Sequence, residues 1–138
     1  MEDNNKVGQE LGELRYMQQL YQNQYMMLNN SMTTHLQEMQ ALGAVQRMLE
    51  NSNMLNNKET LTYAGADVYV KAAIKDSGCV IVGVGANYLV EKSIEEAKVY
   101  VSGAIAKKTK LINDIANGRK ELQSAIIDIS YKIERASR

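Results

Sequence analysis

A lone thiol, a lone imidazole and a glycine pair are the groups in this 138-residue sequence whose types could do chemistry. Cys79 has no Cys or His companion at metal-ligand spacing, so it reads as a buried strand thiol. His35 could act as a general base only beside a nucleophile or an orienting carboxylate. At helical spacing its neighbours are Leu28, Met32, Met39 and Leu42. It therefore reads as a polar residue within an apolar helix seam, where such residues fix register. Gly83-x-Gly85 follows a strand pattern, as a dinucleotide-binding turn would, but Ala86-Asn87-Tyr88-Leu89-Val90 reads as another strand. A third glycine opening a helix is missing, so hairpin turns are the better account. Glu95, Glu96 and Asp114 read as helix-start and solvated-face charges. No catalytic constellation, metal site, cofactor site or P-loop emerges, so an enzyme is not expected.

The elements that hold these groups fall into three parts. The middle, about residues 59–92, is rich in Val, Ile and Tyr and broken by Gly, Asp and Asn. These are strand and turn signals. Four strands are expected, at Glu59–Ala64, Val68–Ile74, Cys79–Val84 and Tyr88–Lys92. They form two hairpins, turning at Ala64–Asp67 and Gly83–Asn87 and joined through Asp76-Ser77-Gly78.

On either side lies heptad sequence. A first helix is expected over about residues 8–55, with a positions Leu11, Gln18, Tyr25, Met32, Met39 and Gln46. Its d positions are Leu14, Tyr21, Leu28, His35, Leu42 and Leu49. A helix this long would measure roughly 70 Å. The Asn-rich run after Glu50 ends it, because short polar side chains compete for backbone hydrogen bonds. A second helix is expected over about residues 93–136, opened by a Ser93-x-x-Glu96 capping box. Its seam runs through Ile94, Val101, Ile105, Lys108, Ile112, Ile115, Arg119, Leu122, Ile126, Ile129, Ile133 and Ala136. Gln18, Gln46, Lys108 and Arg119 are polar seam residues like His35. Two helices of similar length joined by about 40 residues of strand imply an antiparallel coiled-coil hairpin. Leu49 is then expected near Val101, Leu28 near Arg119 or Leu122, and Leu11 near Ile133 or Ala136. The fold class is α+β, a single domain over residues 1–138.

Composition narrows the function classes. Sixteen basic residues balance sixteen acidic ones, so no basic excess points to nucleic acid. One Cys excludes an intramolecular disulfide and suits a reducing compartment. No apolar run is long enough to span a membrane, and the polar, acidic start MEDNNKVGQE is unlike a secretory signal. A cytoplasmic protein is expected. The sequence contains no Trp, Phe or Pro, which suits a helical hairpin better than a compact aromatic core. A small four-stranded sheet with two open edges buries little and invites other chains. Assembly through the strands is expected, with Val68, Val70, Val80, Val82, Tyr88 and Val90 as assembly residues.

Three phrases carry a family resemblance: YVKA (Tyr69–Ala72), VGVGANYLVEK (Val82–Lys92) and IEEA (Ile94–Ala97). They are similar to the alpha-class subunits of prefoldin, and the strong part covers about a third of the chain. Members often carry a Pro-Leu pair at the first strand, which this Pro-free sequence lacks. The resemblance implies two alpha subunits with two hairpins each and four beta subunits with one, closed into a β-barrel from which coiled coils hang. It implies an ATP-independent holdase that binds non-native proteins and passes them to a group II chaperonin.

On that reading the apolar residues near the free helix ends are candidates for client contact. They are Val7, Leu11, Leu14, Tyr16, Met17, Ile126, Ile127, Ile129, Tyr131 and Ile133. Leu11, Leu14, Ile126, Ile129 and Ile133 also belong to the seam, where zipping the coil accounts for them equally well. Val7, Tyr16, Met17, Ile127 and Tyr131 fall off it, and Met26 and Met27 lie on the outer face farther along. A structural coiled-coil homo-oligomer or filament uses the same features and stays open as an alternative. An enzyme subunit whose hairpin is an arm would need its activity from a partner.

Overall fold

The computed structural model describes residues 2–138 and has the order helix, two β-hairpins, helix. Helix α1 spans Glu2–Glu50 and helix α2 spans Ile94–Ala136. Strands β1 (Glu59–Gly65) and β2 (Val68–Ala73) form one antiparallel pair; β3 (Cys79–Gly85) and β4 (Tyr88–Ser93) form another. The chain divides into two compact units. One contains residues up to Glu38 with Lys108–Arg138, and the other contains Met39–Lys107.

In the first unit α1 and α2 run antiparallel. The expected seam positions of both helices are half-buried or buried, with Met32, Ile115 and Ile129 most enclosed. Leu28 would meet a Cβ placed on Gly118 at 3.5 Å, a close helix approach one residue from the expected Arg119. Two polar seam residues find the following partners across the interface. Gln18 Nε2 donates to Ser130 Oγ at 2.9 Å, and Arg119 Nη1 donates to Asn29 Oδ1 at 3.0 Å. A half-buried polar group is tolerated in a seam when it is hydrogen-bonded, and each pair requires one helix register.

In the second unit the core is Leu49, Ala97 and Val101, with Leu42, Val80, Ile94 and Ile105 packed against it. Leu49 and Val101 meet as the heptads require. Helix α1 begins earlier than its expected start and ends at Glu50. Asn51 turns its amide back onto the Arg47 carbonyl at 2.9 Å, and a short 3₁₀ turn, Ser52–Met54, follows. Ser93 caps α2: its Oγ accepts from the Glu96 backbone N–H at 3.2 Å. The Glu96 carboxylate accepts from Ser93 Oγ at 3.0 Å. The box thus satisfies one backbone amide at the helix start, that of Glu96.

The hairpins repeat at an offset of twenty residues. Glu59 pairs with Ala73 as Cys79 pairs with Ser93, and Tyr63 pairs with Tyr69 as Gly83 pairs with Leu89. Both turn through two residues at positive φ, Ala66-Asp67 and Ala86-Asn87. This is the backbone that a right-twisted hairpin needs. Gly65 (φ 112°) and Gly85 (φ 106°) absorb the register shift before each turn.

The expectation of one four-stranded sheet is corrected. The strands form two separate two-stranded sheets, so each hairpin has both edges unpaired. Lys75-Asp76-Ser77-Gly78 lies between them outside both sheets. There the Asp76 carboxylate accepts the Gly78 N–H at 2.8 Å, which closes a local turn in place of a β2–β3 ladder.

Candidate functional site

No described helix is long and apolar enough to cross a membrane, and no group of ligands among the described residues could hold a metal ion. The candidate surfaces are therefore apolar ones, at the free helix ends and on the hairpins.

At the helix ends the ten apolar candidates divide by the heptad. Ile129 is buried, and Leu11, Leu14, Ile126 and Ile133 are half-buried in the seam. Val7, Tyr16, Met17, Ile127 and Tyr131 are exposed, with Tyr16 at 70% and Ile127 at 64%. The coil thus fills its interior with one set and presents the other to solvent. Tyr16 stands between two shallow depressions on α1, one lined by Gln9, Gly12, Glu13 and Met17, the other by Gln19, Leu20 and Asn23. Arg135 lies over the Tyr131 ring at 5.8 Å, leaving an aromatic with a cationic neighbour at the surface. Leu20, Leu36 and Leu111 are also exposed and were not singled out by sequence. Leu20 follows Tyr16 by four residues, so helical spacing could have found it.

The six strand candidates divide by exposure. Val68, Val70, Tyr88 and Val90 are exposed. Val80 and Val82 are half-buried and line an apolar groove with Leu42, Val45, Met48, Leu49, Ala97, Tyr100 and Val101. Lys92, on the same face of β4, holds its ammonium 5.6 Å from the Tyr100 ring centroid. The second hairpin is therefore tethered to its helices. In the first hairpin only Gly65 and Ala72 are even half-buried, while Leu61, Tyr63 and Tyr69 are exposed.

His35 has a carboxylate neighbour that its seam spacing hid. Glu38, three residues on, places Oε2 3.2 Å from His35 Nδ1. Lys108 reaches across from α2, placing its ammonium 3.1 Å from His35 Nδ1 and donating to the Glu38 carboxylate. The Lys108 hydrogen bond, followed by that of His35, holds the Glu38 carboxyl below its usual range. The cluster ties the two helices at one layer and has no nucleophile in it.

Cys79 is half-buried, less enclosed than a buried strand thiol. A hydrogen bond with Glu91 and a second with Asp76 (3.4 Å) push its thiol up to about 12. Negative neighbours disfavour thiolate, the reverse of what a reactive cysteine requires. The Gly78 N–H, then the Cys79 thiol, hold the Asp76 carboxyl low.

Comparison with known proteins agrees with this architecture. A family model described as prefoldin subunit matches residues 14–138. A prefoldin subunit alpha of Pyrococcus horikoshii is 29% identical, over 98% of this chain and 100% of that protein. One of Thermofilum pendens is 32% identical over 59% of this chain and 64% of that protein. One of Methanoculleus marisnigri is 26% identical over 87% and 83%. The fold is also similar to a chain in a solved structure of filamentous PFD from Methanocaldococcus jannaschii. That match has a TM-score of 0.69 at 23% identity, covering 83% of this chain and 95% of that one. With the family model extending over nearly all of the helix–hairpin–hairpin–helix order, the chain belongs to the prefoldin family and is similar within it to the alpha-class subunits.

Proposed function

We propose that this prefoldin subunit works as an ATP-independent holdase. Its hairpins join it to beta-class subunits, two alpha with four beta, closing the strands into a barrel between subunits. The ends of its coil bind non-native proteins and deliver them to a group II chaperonin in the cytoplasm. It carries out no catalysis itself, and it binds neither nucleic acid nor membrane. The observation that supports this reading most directly is the outward set at the helix ends. Val7, Tyr16, Met17, Ile127 and Tyr131 are exposed while the seam beside them is filled. Exposed apolar surface of this kind suits contact with another apolar chain. The thioether of Met17 adapts to varied shapes.

Replacing the five outward residues with Ser tests it, because none is needed to zip the coil. The variant should keep its helix content and its assembly with beta-class subunits but lose most of its suppression of aggregation of a denatured protein. Equal suppression by the variant assembly would overturn the binding surface. The filamentous form of the structural neighbour supports a second reading, a structural assembly without clients. An intact assembly that protects no unfolded protein at all would favour it.

A further inference from the structure

Met26 and Met27 stand on the outer side of α1 and take no part in the seam. They are 62% and 69% exposed, whereas Met32 on the same helix is 7% exposed. Met27 continues the face that bears Tyr16 and Leu20, since spacings of four and seven residues return to one side of a helix. That face is uncharged. No Asp, Glu, Lys or Arg occurs on α1 between Arg15 and Glu38. In the same unit α2, by contrast, exposes Lys110, Asp114, Lys120 and Glu121. The apolar character of this side of α1 therefore rests on a few side chains, two of them adjacent thioethers. Residues four apart are neighbours on a helix surface. For Met26 these are Gln22 and Asn30, and for Met27 they are Asn23 and Ser31. Each carries an N–H or O–H that can donate to an oxygen placed on the neighbouring sulfur.

Resting on the holdase reading above, we infer that Met26 and Met27 are a modification site, oxidised to the sulfoxide by hydroperoxides, and that this oxidation lowers capture of non-native protein. In the step the thioether sulfur attacks the outer oxygen of the hydroperoxide. The O–O bond breaks and an S–O bond forms. Sulfur gives up two electrons, and the hydroperoxide is reduced to the alcohol, or to water where it is hydrogen peroxide. The product is polar where the thioether was apolar. The amide and hydroxyl groups around the pair bond the new oxygens, so the strip turns hydrophilic. Met32 is enclosed in the seam and keeps its thioether, so the coil stays zipped while its outer side changes. Two thiols reverse the step through a reductase: the sulfoxide oxygen leaves as water and the thiols join as a disulfide.

Hydrogen peroxide, applied to the full chain assembled with beta-class subunits, tests the inference. Peptide mass should show sulfoxide forming at Met26 and Met27 about tenfold faster than at Met32. With the pair oxidised and Met32 intact, suppression of aggregation of a denatured protein should fall about twofold, and helix content by circular dichroism should hold. Suppression after treatment is read as a ratio to that before, for each protein, so a change in basal capture cancels. The M26L/M27L assembly should largely resist the treatment. A methionine sulfoxide reductase with a dithiol should return the oxidised parent to its starting level. Full suppression by an assembly carrying both sulfoxides would overturn the inference. So would an M26L/M27L assembly that loses as much as the parent, or a Met32 oxidised as fast as the pair. An untreated parent assembly that protects nothing would sink the holdase reading, and this inference with it.

Discussion

The two hairpins share register, turn geometry and an alternating pattern, yet one is docked and the other stands clear. The second packs Val80 against Leu49, Ala97 and Val101, half-buries Val82 in the groove beside them and lays Lys92 beside Tyr100. The first has Thr60 and Thr62 at the positions matching those valines, and both are exposed. Two apolar residues on one face thus separate an element held by its own helices from one whose apolar surface is left for another chain. An isolated two-stranded hairpin is marginal in water, so the first hairpin has less of its own chain to hold it than the second.

The largest effect should come from placing a charge on the docked face. Val80→Asp should destabilise the chain by about 2–3 kcal/mol, since a carboxylate would lose water without gaining a partner. Thr60→Asp, at the matching position of the first hairpin, should stay within about 0.5 kcal/mol. Chemical denaturation followed by helix signal compares them. Equal losses would mean that the docking is not what distinguishes the hairpins.

Hydrogen exchange should sharpen the contrast. In the chain alone, amides of β1 and β2 should exchange about tenfold faster than those of β3 and β4, since local opening follows the scarcity of buried contacts. Adding beta-class subunits should slow the first hairpin most. Uniform protection before assembly would contradict the free-standing first hairpin.

The smallest effect concerns Cys79, whose matching residue in the first hairpin is Glu59. With its thiol pushed up to about 12, alkylation at neutral pH should be slow, and Glu91→Gln should speed it several-fold. A raised pKa also ties stability to pH. The stabilisation is fully present below the ordinary thiol range and is lost as pH climbs through about 12. Alkylation rates measured against pH, in parent and variant, check both. A parent rate equal to that of a free thiol would remove Glu91 and Asp76 as the cause.

Much of the fold was legible residue by residue. A period of 3.5 identified the seam, and the positions it assigned, from Leu11 to Leu49 and from Ile94 to Ala136, are the enclosed ones. The turn residues located both hairpins because positive φ narrows the choice of residue strongly. Glu38 beside His35 was missed because it lies just outside the seam that the heptads define. Leu20 and Leu36 were missed because heptad spacing ranks residues by the interior they fill and is silent on the exterior.

The elements, their order and the face each helix turns inward can be read from the amino-acid pattern alone. These follow from local backbone preference and from periodicity, which need no knowledge of distant residues. Tertiary structure decided that the four strands separate into two sheets and that the second hairpin, not the first, docks on Leu49, Ala97 and Val101. It also decided which polar residues meet across the seam: Gln18 with Ser130, Asn29 with Arg119, and Lys108 with His35 and Glu38. Those outcomes depend on groups brought together from some seventy to over a hundred residues apart, where burial and hydrogen-bond geometry choose among pairings that local pattern leaves equal.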